Sequence, residues 1–127
     1  MEQEIQVARD KAQLCRIAAQ YFLQIAESAV RDHGRFTVAL SGGNTPRALY
    51  ELLAAEYANK IPWDKVHIFF GDERQVPSDH PDSNHRMANE ALLSRVAIPA
   101  QNVHRVRTEL GPESAALDYE NQLRAIF

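Results

Sequence analysis

Residues 35–46 read RFTVALSGGNTP, and this stretch decides the fold. Arg35 to Leu40 is short, mostly apolar and β-branched in part, which predicts a buried strand. Ser41, Gly42 and Gly43 stop it abruptly. Thr45 and Pro46 then supply an N-cap and a first-turn proline, and Leu49, Leu52, Leu53 and Tyr57 line one face of a helix that stops near Asn59 and Pro62. The unit is strand, glycine turn, helix. Upstream, Asp10 and Gln13 form a helix-starting cap, and Leu14, Ile17, Ala18, Tyr21, Phe22, Ile25 and Ala29 recur at helical spacing until Gly34. Downstream, Val66 to Phe70 (VHIFF) is a second continuous apolar run, suited to a strand covered on both faces. Residues 71–85 (GDERQVPSDHPDSNH) show no apolar periodicity and form a loop of about fifteen residues, a length usually reserved for function. Asn84 then caps a helix from Arg86 to Val96, with Met87, Ala91 and Leu92 inward. Val103 to Val106 reads as a third strand, and Gly111 and Pro112 open a last helix with Ala116, Tyr119, Leu123 and Ile126 on one face. The order α, β, α, β, loop, α, β, α predicts an α/β fold with a mainly parallel sheet, helices on both faces and right-handed crossovers. No repeat, linker or composition break divides residues 1–127, so a single α/β domain is expected.

The chain has 127 residues, 45% of them hydrophobic and 24% charged, with 14 basic against 17 acidic side chains and a formal charge of −3. These values exclude an intrinsically disordered chain. No window approaches the roughly 20 apolar residues of a membrane span, and Met1 to Asp10 lacks the basic start and apolar core of a signal peptide, so no membrane partner and a cytoplasmic location are expected. The single cysteine, Cys15, has no partner for an internal disulfide and falls in a helix-like stretch as a small semi-buried side chain rather than a nucleophile. The arginines are scattered, with His104 to Arg107 (HRVR) as the one basic cluster, which argues against nucleic acid. A small anion needs only a local site.

In an open parallel sheet ligands bind beyond the carboxyl ends of the strands, and both polar segments begin there. Ser41 to Pro46 (SGGNTP) offers the backbone amides of Gly42, Gly43 and Asn44, the hydroxyls of Ser41 and Thr45, and the positive end of a helix dipole, a combination that cradles phosphate. A tight steric turn with an ordinary cap has the same sequence. The segment lacks the lysine of a P-loop and the three-glycine spacing of a dinucleotide fingerprint, so neither ATP nor NAD is supported. Asp72, Glu73 and Arg74 follow the second strand. Two carboxylates beside a guanidinium can position a substrate, transfer a proton or stabilise developing charge, and they can equally form a solvated salt-bridged turn. Asp79, His80, Asp82 and His85 invite a metal reading, but without HExxH or a cysteine pair no metal is expected. His33, His67 and His104 read as structural, and Trp63 as packing at the start of the second strand.

Three words, Ser41 to Pro46 (SGGNTP) after a strand, Phe69 to Pro77 (FFGDERQVP) and Asp82 to Asn84 (DSN), resemble the 6-phosphogluconolactonase family in order and spacing. The likeness extends over essentially the whole chain, including the first helix, IPWDKVHIFF and the helix of Tyr119 to Phe127. It implies the three-layer α/β/α fold shared with glucosamine-6-phosphate deaminase and ribose-5-phosphate isomerase, a sugar-phosphate lactone as substrate, and its hydrolysis to 6-phosphogluconate without a cofactor. It also implies roles: Ser41, Gly42, Gly43 and Thr45, with the amide of Asn44, on the phosphate; Asp72 in positioning or electrostatic tuning; Arg74 on a substrate anion or the oxyanion; Asn84 and Arg86 in the pocket wall. Related deaminases carry Asp-Glu-Tyr where this chain has Asp72, Glu73 and Arg74. A cation suits the oxyanion of lactone hydrolysis, so a sugar-phosphate isomerase or deaminase is the lesser alternative. A noncatalytic sugar-phosphate binding module is another. The family's later Gly-x-Asp-Gly-His segment, with the expected general-base histidine, is not among these residues. The resemblance therefore implies the N-terminal half of a larger domain, inactive alone, with an uncovered sheet edge through which it self-associates.

Overall fold

The computed structural model describes residues 3–127. Helix α1 spans Lys11–His33, strand β1 Phe36–Leu40, helix α2 Asn44–Glu56, strand β2 Val66–Phe70, helix α3 Asn84–Ala91 and helix α4 Pro112–Ile126. Single 3-10 turns occupy Trp63–Lys65, Leu93–Arg95, Ala100–Asn102 and Thr108–Leu110. Among the described residues no helix is long and apolar enough to cross a membrane.

Asp10 caps α1 by accepting the Gln13 amide at 2.8 Å, while the Gln13 side chain accepts the Arg9 amide at 2.8 Å. Gly34 ends the helix in the left-handed region at φ 79° and donates to the Val30 carbonyl. The buried face is rotated from the expected stripe. Cys15, Ala19 and Ala26 are buried, with Phe22, Leu23, Ala29 and Val30 partly so, whereas Leu14, Tyr21 and Ile25 remain exposed. Two overlapping apolar stripes share α1, and the alanine-lined one faces inward because small side chains let the helix approach the sheet closely.

The strands pair in parallel from Phe36 opposite Val66 to Leu40 opposite Phe70. Side chains alternate across a strand, so Phe36, Leu40, Val66, Ile68 and Phe70 share one face. They are buried in one cluster with Ala19 and Ala26 of α1, Leu53 of α2, Trp63, and Ala88 of α3. Phe22 bridges the layers, edge-on to Phe36 at 5.3 Å and 5.9 Å from Trp63. On the opposite face Phe69 meets Tyr119 of α4 and Phe127, with ring centroids 6.4 and 5.7 Å apart. Helices thus cover both faces of a parallel sheet, the three-layer arrangement expected.

The third strand is reduced to one parallel bridge, Ile68 to Val103, with the His104 amide donating to the Ile68 carbonyl at 2.8 Å. The Tyr119 hydroxyl does the rest. It accepts the Phe70 amide at 2.7 Å and donates to the His104 carbonyl at 3.2 Å, so a side chain from α4 satisfies backbone that a longer strand would have paired. The His67 and His104 rings stack with Nδ1 and Nε2 3.1 Å apart. Burial pushes both pKa values down, aided at His67 by Arg35 and at His104 by His67, so the pair is neutral at pH 7 and structural. In the HRVR stretch Arg105 pairs with both oxygens of Glu109 at 2.8 and 3.0 Å, and Arg107 lies 3.7 Å from Asp118. Its charge is spent locally.

Candidate functional site

Both polar segments leave the carboxyl ends of adjacent strands and stay together, with the Gly71 amide donating to the Leu40 carbonyl at 3.0 Å. Tyr50 of α2 pins the start of the first segment. Its hydroxyl accepts the Ser41 amide at 3.0 Å and donates to the Ser41 carbonyl at 2.7 Å. Burial raises its pKa, which keeps the donor in place at neutral pH. Helix α2 begins two residues earlier than the Thr45 cap predicts: Gly43 is the N-cap, at φ 105°, and no side chain caps the helix. That backbone suits glycine alone. The physical consequence is that no hydroxyl consumes the first-turn donors. Among the described residues the amides of Gly42, Gly43, Asn44 and Thr45 have no partner within the chain, and the first bond of the helix runs from Arg47 to Gly43. Ser41, Gly43, Asn44 and Thr45 are exposed. Unpaired amides at a helix N-terminus are what an anion site requires.

The second segment is organised by Glu73. Its Oε1 accepts the amides of Arg74 at 2.8 Å and Asn84 at 2.7 Å, and its Oε2 accepts the Ser83 hydroxyl and the His85 amide, each at 3.0 Å. Ser83, not Asn84, is the N-cap of α3, accepting the Arg86 amide at 3.2 Å. With the cap moved forward, Asn84 is the first residue of the helix, and its side chain turns to the loop. Its Nδ2 lies 3.2 Å from the Asp72 carbonyl and 3.3 Å from Asp72 Oδ1. A Cβ on Gly42 would overlap the Asn84 amide, 2.7 Å from its Cγ. Gly42, Asp72 and Asn84 therefore meet at one point. Helix α3 also stops at Ala91 rather than Val96, passing into the turn of Leu93–Arg95.

Asp72 and Arg74 are exposed, and among the described residues the Arg74 guanidinium has no partner within the chain. Arg86 is committed elsewhere. It bonds Glu90 at 2.8 Å and the Asp79 carbonyl at 2.6 Å, strapping the loop to α3. Gln75 ties the loop to the Thr108 carbonyl at 2.8 Å. His80 Nδ1 accepts the Asp82 amide at 3.0 Å, and His85 packs half-buried against the Phe70 ring, where burial pushes its pKa down. Among the described residues no three His, Cys, Asp or Glu side chains converge as metal ligands. The sequence singles out Glu73 only as a carboxylate for acid-base work or a salt-bridged turn; its anchoring of the start of α3 and the capping role of Ser83 are seen only in the structure. The bonds from Glu73 to Ser83, Asn84 and His85 join positions ten to twelve apart, which no local pattern signals.

Burial alone would raise the Glu73 pKa, but the three backbone amides and the Ser83 hydroxyl outweigh it and hold the carboxyl below its ordinary value of 4.5. A depressed carboxylate contributes stability above its unfolded pKa and loses it as pH falls through the folded one. As pH falls from 4.5 through the depressed folded value, the amides of residues 84 and 85 are therefore expected to be released. Their hydrogen-exchange protection, followed alongside the titration of the Glu73 carboxyl itself, measures this; protection that persists once the carboxyl is protonated would contradict it.

A parallel sheet with a strand-to-helix turn of free amides and a second polar loop beyond the same strand ends is the place where open α/β folds hold ligands. The family model for glucosamine-6-phosphate isomerases/6-phosphogluconolactonase matches residues 9–127, and the chain belongs to that family. A 6-phosphogluconolactonase of Nostoc sp. is 46% identical over 128 residues, covering 100% of this chain and 52% of that protein. The crystal structure of 6-phosphogluconolactonase from Thermotoga maritima superimposes with a TM-score of 0.82 at 38% identity, covering 89% of this chain and 50% of that one. A monomeric glucosamine-6-phosphate deaminase of the NagB superfamily shares the fold at 16% identity, with a TM-score of 0.83 over 98% of this chain and 51% of that one. The chain thus spans about half the length of these relatives.

Proposed function

We propose that the two segments are the phosphate and lactone ends of a site for 6-phosphoglucono-lactone, and that this chain contributes them to 6-phosphogluconolactonase activity. The carrying observation is the row of amides from Gly42 to Thr45, unpartnered among the described residues, beside a loop whose Arg74 guanidinium is exposed and, among the same residues, unpaired. The amides, with the Ser41 and Thr45 hydroxyls, hold the phosphate at the end of the α2 dipole. Hydrolysis adds water to the lactone carbonyl: as the new C–O bond forms, water gives a proton to a base not assigned among these residues and negative charge develops on the carbonyl oxygen; the carbonyl then reforms, the ring C–O bond breaks and that proton passes to the departing ring oxygen. Arg74 stabilises that charge and Asp72 orients the reacting end. His80 is tied to the Asp82 amide and His85 is half-buried, so neither is assigned as the base. Arginine after Asp72 and Glu73 favours lactone hydrolysis over deamination.

Amide shifts on titration with 6-phosphogluconate test the reading. Saturable shifts at Gly42, Gly43 and Asn44 are expected, and spectra unchanged at millimolar ligand (about the weakest affinity worth assigning to a metabolite site) would contradict it.

The outer edge of β1 pairs with no strand among the described residues, and Leu14, Ile25 and Phe127 are 44, 52 and 73% exposed beside its flanking grooves. An open edge between apolar surfaces is a template for a second copy of this chain. Concentration-dependent association in sedimentation velocity is the expected outcome; a monomer at all concentrations would count against it.

A further inference from the structure

We propose that Glu73 and Asn84 are the positioning pair of this site: Asn84 sets the separation between the phosphate turn and the Asp72–Arg74 loop, and Glu73 holds Asn84 in place. The inference rests on the reading of those segments as two ends of one sugar-phosphate site. Glu73 sits between the two residues assigned to the chemistry, yet its carboxylate is not free for acid-base work. An ionised carboxylate offers about four lone-pair positions, and donors from Arg74, Asn84, Ser83 and His85 engage both oxygens. Two of those donors are the first amides of α3. Glu73 thereby anchors the helix whose leading residue is Asn84.

Asn84 touches both halves of the site. It is 7% exposed, its Nδ2 reaches both the carbonyl and a carboxylate oxygen of Asp72, and its amide fills the space that a side chain at position 42 would take. The φ of Gly42 is not positive, unlike that of Gly43, so Gly42 is required for room and not for backbone shape. That room is occupied by Asn84. A ligand that bridges the turn and the loop depends on this spacing, whereas a phosphate ion seated on the turn does not. The pair acts through Asp72 and the turn and needs no contact with the ligand.

The test is a two-probe titration of the 127-residue chain. Binding of 6-phosphogluconate and of inorganic phosphate is followed by amide shifts in the wild type, Asn84→Ala and Glu73→Gln, with thermal unfolding measured in parallel. Glu73→Gln keeps the shape but turns an NH2 group toward amide donors. In Asn84→Ala the bridging ligand is expected to weaken about tenfold, the worth of a hydrogen bond's geometry, and inorganic phosphate less than about twofold. Glu73→Gln should move the two probes in the same ratio; if it does not fold, Asn84→Ala decides alone. Equal weakening of both probes would reduce the pair to scaffolding and overturn the inference, as would no weakening of either. A wild-type chain that binds neither probe would instead sink the site reading on which the inference rests.

Discussion

Replacing Gly42 with alanine is expected to destabilise the chain by about 2–3 kcal/mol, the upper range for an overpacked interior position. A methyl group there overlaps the buried amide of Asn84, which cannot swing aside without giving up its bonds to Asp72. Phosphate binding should fall below detection, because the turn is forced away from its amide geometry. The mechanism is specific enough for a double-mutant cycle. Asn84→Ala removes the atoms that the new methyl strikes, so Gly42→Ala should cost far less in that background, with a coupling of roughly 1–2 kcal/mol. Chemical denaturation of the four chains measures it. Additive losses would show that Gly42 serves some other purpose.

Arg74→Ala is expected to have the opposite profile. The side chain is exposed and unpaired among the described residues, so the melting temperature should hold. If Arg74 meets the carboxylate end of a sugar acid, its loss removes a charge-assisted hydrogen bond, and 6-phosphogluconate should weaken by roughly 10- to 100-fold. Inorganic phosphate, confined to the turn, should bind as before. Calorimetric titration separates the two ligands, and equal affinity for 6-phosphogluconate in wild type and variant would remove Arg74 from the site.

How far these features were legible in the sequence depended on whether their causes were local. The strand of Arg35 to Leu40, its glycine stop and the following helix follow from hydrophobic pattern and turn chemistry, and the structure has them within a residue or two. The cap of Asp10 on Gln13 was equally plain. Errors arose where tertiary contacts overruled local preference. Thr45 has a good capping side chain, but Gly43 adopts a conformation closed to it and starts the helix first. Val103 to Val106 has strand composition, but the Tyr119 hydroxyl from α4 occupies the edge it would have extended. On α1, two stripes satisfied the same periodicity, and closeness to the sheet chose the one lined by alanine. The segments SGGNTP and GDER advertised chemistry on their own. Their link through Glu73 and Asn84 joins residues 11 positions apart and is visible only in three dimensions.

In the proposed site the Gly42–Thr45 amides and the Asp72–Arg74 loop are the two ends that one ligand spans. A crystal structure of the chain with 6-phosphogluconate tests it most directly. Phosphate oxygens are expected within hydrogen-bond distance of the Gly42, Gly43 and Asn44 amides, with the carboxylate directed to Arg74 and Asn84 still bridging to Asp72. A phosphate seated elsewhere, or a carboxylate pointing away from the loop, would contradict it.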